Sequence, residues 1–274
     1  MTTFATGCSG TIGKFFPASV VSVKMDIRSK IEKFEQIGLE KTDVLIHAAA
    51  VVGPSVVDTD MQAAKEVNIE GTRKLGLTAL KSDISKFVYV STSHVYRFGP
   101  DFLTEDDEIS PINEYARQKL EGEKVLQEIF SKAPEKLCIL RVFSILDWGM
   151  PEFSLGGAIE NLAKRTPDFV IQNTDDVRDF LSPRQAAELI YEVSRVSEAS
   201  GILNVCTSNP ISVAQAVRRI FELENIQVDE SCLLNGNSLV PRIVGDNSKL
   251  KALLPNISLD WKPGLRVNSN GALK

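Results

Sequence analysis

The chain has 274 residues, 43% of them apolar and 24% charged, enough for one large domain or two small ones around a sizeable core. Its formal charge of −5 argues against nucleic-acid binding, which needs a basic surface, but allows a small anionic ligand met by a few local donors. No apolar run approaches the ~18 residues of a membrane span and no signal pattern opens the chain, so a cytoplasmic protein with no membrane partner is expected.

Phe4-Ala5-Thr6 is a short apolar strand running into Gly7-Cys8-Ser9-Gly10-Thr11-Ile12-Gly13. Glycines at 7, 10 and 13 suit a tight turn, close backbone approach to a pyrophosphate, and close helix packing, although the spacing is G-x-x-G-x-x-G. Pro17 stops the following helix near Phe16. Val20 to Met25 then reads as a strand closing at Asp26-Ile27, with a helical pattern (Ile31, Phe34, Ile37) behind it. Asp43 to His47 is a buried strand ending in the small residues Ala48, Ala49 and Ala50, and Asp60 to Leu80 carries a helical pattern that contains Asn68. His47 reads as a packed strand-end residue.

Phe87 to Ser93 is an apolar strand ending in hydroxyls. Tyr115 and Lys119 open a helix whose apolar stripe is Leu120, Val125, Leu126 and Ile129; four residues apart, they share a face and can meet one ligand. A phenol titrates near ~10, and an ammonium beside it favours the phenolate, which makes Tyr a usable acid or base. Lys136 to Phe143 is another buried strand, Gly201 to Val205 a further one, and two helical patterns follow Ile211. The cysteines at 8, 138, 206 and 232 lack Cys-x-x-Cys spacing and read as reduced thiols, and no metal site is expected.

Glycine loop, hydroxyl-ended strand and Tyr-x-x-x-Lys helix, in that order over nearly the whole chain, resemble the extended short-chain dehydrogenase/reductase family of nucleotide-sugar epimerases, dehydratases and reductases. The resemblance implies an α/β fold: a Rossmann-like doubly wound parallel sheet with its first βαβ unit shortened (1–146 plus 177–205), and a smaller α/β substrate lobe (147–176 plus 206–274). It implies NAD or NADP as cofactor and a nucleotide sugar as substrate. Thr92, Tyr115 and Lys119 become the catalytic set. Gly7, Gly10, Thr11, Ile12, Gly13, Ala48, Ala49, Ala50, Asn68 and Phe143 join Tyr115 and Lys119 around the cofactor. Thr92, Ser93, Arg178 and Arg242 face the substrate.

Asp26 has two readings. It lies 19 residues past Gly7, the distance of a ribose-binding acid, yet Asp26-Ile27 looks more like the adenine-side pair after the family's third strand, the reading we favour. NAD versus NADP is then open, with Lys14 and Arg28 available to a 2′-phosphate. Ser93 and His94 stand where family dehydratases carry an Asp-Glu pair, which argues against 4,6-dehydration. Ser144 replaces an Asn that holds the nucleotide-sugar phosphate region. The expected reaction is C4 epimerisation; a 4-keto-sugar reductase and a non-catalytic dinucleotide-binding regulator are the alternatives. A homodimer is admitted, with the oligomeric state open.

Overall fold

The structure, a computed structural model, describes residues 1–99, 101–165 and 169–264. Residues 166–168 and 265–274 of the expected substrate lobe lie outside the described residues. In chain order the strands are β1 (Thr3–Thr6), β2 (Val21–Ser22), β3 (Val44–His47), β4 (Lys86–Thr92), β5 (Leu137–Val142), β6 (Ser144–Ile145), β7 (Val177–Leu181), β8 (Gly201–Val205), β9 (Pro210–Ser212) and β10 (Arg242–Ile243). The helices are α1 (Ile31–Glu35), α2 (Pro54–Thr59), α3 (Met61–Lys65), α4 (Thr72–Lys81), α5 (Glu114–Ile129), α6 (Leu155–Ala163), α7 (Pro183–Arg195), α8 (Val213–Leu223) and α9 (Ser248–Leu253).

β3 and β5 are buried at every position, as strands covered on both faces must be. They belong to a six-stranded parallel sheet of order β2-β1-β3-β4-β5-β8. One face packs Leu45, Phe87, Tyr89 and Ile139 against Leu75 and Ala79 of α4 and Leu126 of α5. The other packs Ala5, Ile46, Val88 and Leu140 against Ala186, Leu189, Ile190 and Val193 of α7. The chain steps outward from β1 to β2, then returns across β1 to β3. The carboxyl ends of β1 and β3 therefore bound a crevice at a topological switch point, where such sheets bind ligands.

A smaller sheet of order β10-β7-β6, with β9 antiparallel to β7, is covered by α6 and α8. Trp261 is core here: it is buried, tilts on Phe180 at 5.4 Å and donates from Nε1 to the Leu146 carbonyl at 3.2 Å. β6 and β7, placed by the sequence reading in the dinucleotide domain, pair in this smaller sheet.

Two further expectations change. The strand expected over Val20 to Met25 shrinks to Val21–Ser22, an exposed edge that lies directly on β1 with Phe4 opposite Val21. It therefore takes the second-strand position rather than the third. The helix expected over Asp60 to Leu80 breaks into α3, a π-helical segment Glu66–Gly71 and α4. Wide turns of this kind are frequent at functional sites, and this one carries Asn68.

Candidate active site

Gly7 follows β1 with φ +76°, a conformation that suits glycine, and a Cβ there would lie 2.6 Å from the Ala49 nitrogen. A Cβ on Gly13 would lie 2.1 Å from the Gly7 carbonyl oxygen. Both positions exclude any side chain, so the loop folds tightly on itself and onto the end of β3. The cleft beside it, about 850 Å³, is lined by Gly7 to Gly13, Ser22 to Ile27 and Ala48 to Ala50. A second cavity of about 500 Å³ shares Thr11, Ile12, Ala48, Ala50, Val52 and Val90 with it. The two adjoin along these shared residues, with the glycines on the side of the first cleft, an arrangement that fits a dinucleotide.

The strand ends are braced from behind. His47 is fully buried between Thr6 (Nδ1 to Oγ1, 2.8 Å) and Thr72 (Nε2 to Oγ1, 2.9 Å). Thr72 spends its own proton on the Asn68 carbonyl at 2.8 Å, so His47 donates from Nε2 and accepts at Nδ1. Burial holds its pKa near 3, and the ring stays neutral. Asn68 accepts from the Val51 N–H at 2.9 Å and donates to Gln118 of α5 at 2.9 Å. It shapes the Ala48 to Val51 backbone from beneath and is not among the lining residues of either cavity.

Thr92, at the end of β4, and Ser93, His94, Tyr115 and Lys119 all line the second cavity. Asn113 caps α5 by accepting from the Ala116 N–H at 2.8 Å, which sets the turn that presents Tyr115. The Thr92 hydroxyl accepts from the His94 N–H at 3.3 Å. One expectation needs correction. Lys119 does not lower the Tyr115 pKa in this arrangement; burial pushes the phenol up to about 12. The Lys119 ammonium stands 4.0 Å from the centroid of the Tyr89 ring, and burial pulls its own pKa down to about 7, with Glu123 opposing that fall. Glu123 is itself buried in an ion pair with Arg141 (2.8 Å) and bonded to Ser91.

Of the expected substrate residues, Arg178 reaches the cavity and Arg242 does not. Arg242 is paired with Val177 and Ile243 with Arg178; neighbours along a strand alternate faces, which sets the two arginines on opposite sides of the small sheet. The Arg242 guanidinium lies 5.7 Å from the Phe102 ring centroid instead. Arg178 is held by Asp176 at 2.7 Å, and Asp176 also accepts from Ser238 at 2.8 Å. Phe143 lines the cavity but is mostly core, against Tyr96 and Cys206. Asp26 lines the cleft with both carboxylate oxygens taken by Arg28: the Arg28 N–H and Nε meet one at 2.9 and 3.0 Å, Nη2 the other at 2.9 Å. Sequence reasoning gave no role to Tyr89 or Glu123, named Asp176 only as one of two carboxylates that could pair with Arg178, and named His94 only for its place in the dehydratase pattern. Glu123 left a trace there, four residues beyond Lys119 on the same helix face.

A glycine-loop cleft joined to a cavity holding Thr, Tyr and Lys defines a dinucleotide-dependent enzyme of the short-chain dehydrogenase/reductase class, and solved structures of this fold contain NAD or NADPH. The chain belongs to the NAD dependent epimerase/dehydratase family, whose model matches residues 5–206. It is 24% identical over 275 residues to GDP-6-deoxy-D-talose 4-dehydrogenase of Aggregatibacter actinomycetemcomitans, covering 93% of this chain and 92% of the relative. In fold it resembles MoeE5 in complex with UDP-glucose and NAD (TM-score 0.79, 19% identity, 99% and 96% of the chains covered). It also resembles RMD from Pseudomonas aeruginosa complexed with NADPH (TM-score 0.78, 18% identity, 97% and 95% covered). The family is one of nucleotide-sugar-modifying enzymes; the chain is also similar to methionine adenosyltransferase 2 subunit beta of Rattus norvegicus, 30% identical over 141 residues, covering 45% of this chain and 42% of the relative. Among the described residues, no helix is long and apolar enough to cross a membrane.

Proposed function

We propose that this protein transfers hydride at C4 of a nucleotide sugar as a 4-dehydrogenase or, in reverse, a 4-keto-sugar reductase. The observation that carries the reading is the convergence of Thr92, Tyr115 and Lys119 on one cavity that continues into the glycine cleft. Bound there, NAD or NADP supplies or removes the hydride. Tyr115 exchanges the proton of the reacting oxygen, and Thr92 donates a hydrogen bond to that oxygen as its charge changes. Lys119, whose charged form Glu123 favours, lines the same cavity as Tyr115 and would meet the nicotinamide ribose. Arg178 meets the substrate's phosphates with the part of its fork that Asp176 leaves open.

The dehydrogenase direction is favoured over the epimerase expected from the sequence because of the adenosine side of the cleft. Its wall there is a two-residue strand followed by exposed Lys24 and Asp26, so cofactor can exchange between turnovers. The full-length relative named a 4-dehydrogenase points the same way. The experiment is incubation of GDP-, dTDP- and UDP-hexoses and their 4-keto forms with NAD(P)+ or NAD(P)H. Stoichiometric cofactor turnover with a two-dalton change in the sugar is expected. Inversion at constant mass without cofactor release would replace this reading by epimerisation, and a product lighter by one water by dehydration.

A further inference from the structure

We propose that Tyr89 is a positioning residue for this reaction, its ring face being the platform that holds the Lys119 ammonium charged and in place at the cavity floor. The inference rests on the assignment of Lys119 to the cofactor and the Tyr115 proton, but its own test does not require turnover. Lys119 is 2% exposed, so its ammonium is cut off from most of the water that would otherwise stabilise the charge. Among the described residues, no hydrogen-bond acceptor meets that ammonium. What it meets is the Tyr89 ring, 4.0 Å from nitrogen to centroid, well within the range of a cation over the electron-rich face of an aromatic.

The ring cannot drift. Tyr89 is fully buried in the middle of β4, within the cluster that includes Leu45, Leu75 and Leu126, and the neutral His47 ring lies 5.6 Å away. Its hydroxyl lies 3.5 Å from the carbonyl oxygen of Lys119 itself. The next turn of α5 is pressed against the same hydroxyl: a Cβ on Gly122 would come within 2.3 Å of the Tyr89 Oη. Helix and ring are thus fixed edge to edge, and the side chain leaving Lys119 folds over the ring face.

The groups that act on this ammonium come from four elements. Tyr115 and Glu123 lie on α5, Tyr89 on β4, neutral His47 on β3, and Arg141 on β5 occupies the Glu123 carboxylate at 2.8 Å. With Glu123 already paired, its attraction for Lys119 is partly cancelled, and the ring is the remaining stabiliser in direct contact. The proposal distinguishes the ring from the hydroxyl. A phenylalanine should serve, whereas an aliphatic side chain of similar volume should not.

The test compares wild type, Tyr89→Phe, Tyr89→Leu and Tyr89→Met by NMR of 13Cε-labelled lysine, the Lys119 resonance being assigned by its loss in Lys119→Met. Thermal melting establishes which variants are folded, and two aliphatic replacements guard against one that is not. Tyr89→Phe is expected to titrate with wild type. Tyr89→Leu or Tyr89→Met is expected to lose the Lys119 proton at least half a pH unit lower, and to bind NADPH several-fold more weakly at pH 8 while matching wild type at pH 6. Superimposable Lys119 titrations in a folded aliphatic variant would overturn the proposal, as would a shift in Tyr89→Phe equal to that in the aliphatic variants. If the titration shifts as expected but NADPH affinity is unaffected even by Lys119→Met, Tyr89 keeps its role and the cofactor assignment of Lys119 fails instead.

Discussion

Asp176 holds Arg178 at 2.7 Å within the wall of the cavity, so the cation best placed for a substrate phosphate comes with its own internal competitor. The pair is largely buried, with side-chain exposures of 17% and 8%, and burial lowers the Arg178 pKa while Asp176 opposes that shift. On the function proposed here, a substrate diphosphate would share Arg178 with a carboxylate that also repels it.

Asp176→Asn keeps the shape and the bond to Ser238 but removes the repulsion. Binding of UDP-glucose or GDP-mannose, measured by calorimetry, is expected to tighten by about threefold to tenfold, the scale of one partly screened like-charge contact. Reducing the Arg178 ion pair to a hydrogen bond on a neutral amide oxygen should lower the melting temperature at the same time. Weaker nucleotide binding in a folded Asp176→Asn protein would show that Asp176 orients Arg178 for the ligand rather than competing with it.

Tyr115→Phe removes only the transferable proton. Turnover is expected to fall by ~10²–10⁴ with dinucleotide affinity kept. Fluorescence titration with NADPH beside steady-state rates separates the two quantities, and activity within a few-fold of wild type would remove Tyr115 from the chemistry.

Lys119 gives stability a pH dependence of known sign. Its pKa falls from 10.5 to about 7 in the folded protein, so between those values the unfolded chain binds the extra proton. Folding stability from this group therefore rises as pH increases from about 7 towards 10.5, and below pH 7 the buried charge counts against the fold. Urea unfolding across pH 6.5 to 9.5 should show that rise in wild type and a flatter profile in Lys119→Met. Lys119→Met should also be the more stable protein near pH 7 while losing activity.

Asp26 has both oxygens closed on Arg28, which leaves it a poor acceptor for two ribose hydroxyls. Asp26→Ala is expected to change the ratio of NAD to NADP dissociation constants by less than about threefold, and wild type to discriminate weakly between the two. A wild-type preference for NAD above ~100-fold that the substitution abolishes would make Asp26 the ribose acid.

Much of the site was legible because its signals are local. The glycines at 7, 10 and 13 and the pair Tyr115 and Lys119 depend on turn geometry and helical period alone, and the structure places all of them along the two adjoining cavities. Arg242 was misplaced for a non-local reason: its direction is decided by the register of a two-residue strand against β7. A run of Asp175 and Asp176 beside Arg178 advertises an ion pair but not which carboxylate forms it. The meeting of Lys119 with Tyr89 joins residues 30 positions apart and follows from how α5 crosses β4, which no periodicity encodes. The small sheet escaped for the same reason, since β6, β7 and β10 are short and come from distant parts of the chain.

β2 bears on the protein's behaviour in concentrated solution as much as on its chemistry. Losing a strand from one side of a parallel sheet ordinarily uncovers a row of backbone donors and acceptors on which another chain can build. Here the rim is two residues long, with Lys24 just beyond it, too short and too charged to seed a ladder. The abbreviated first unit thus shortens the chain without making its margin adhesive, and cross-β association, if the protein is forced to aggregate, should start from some other segment.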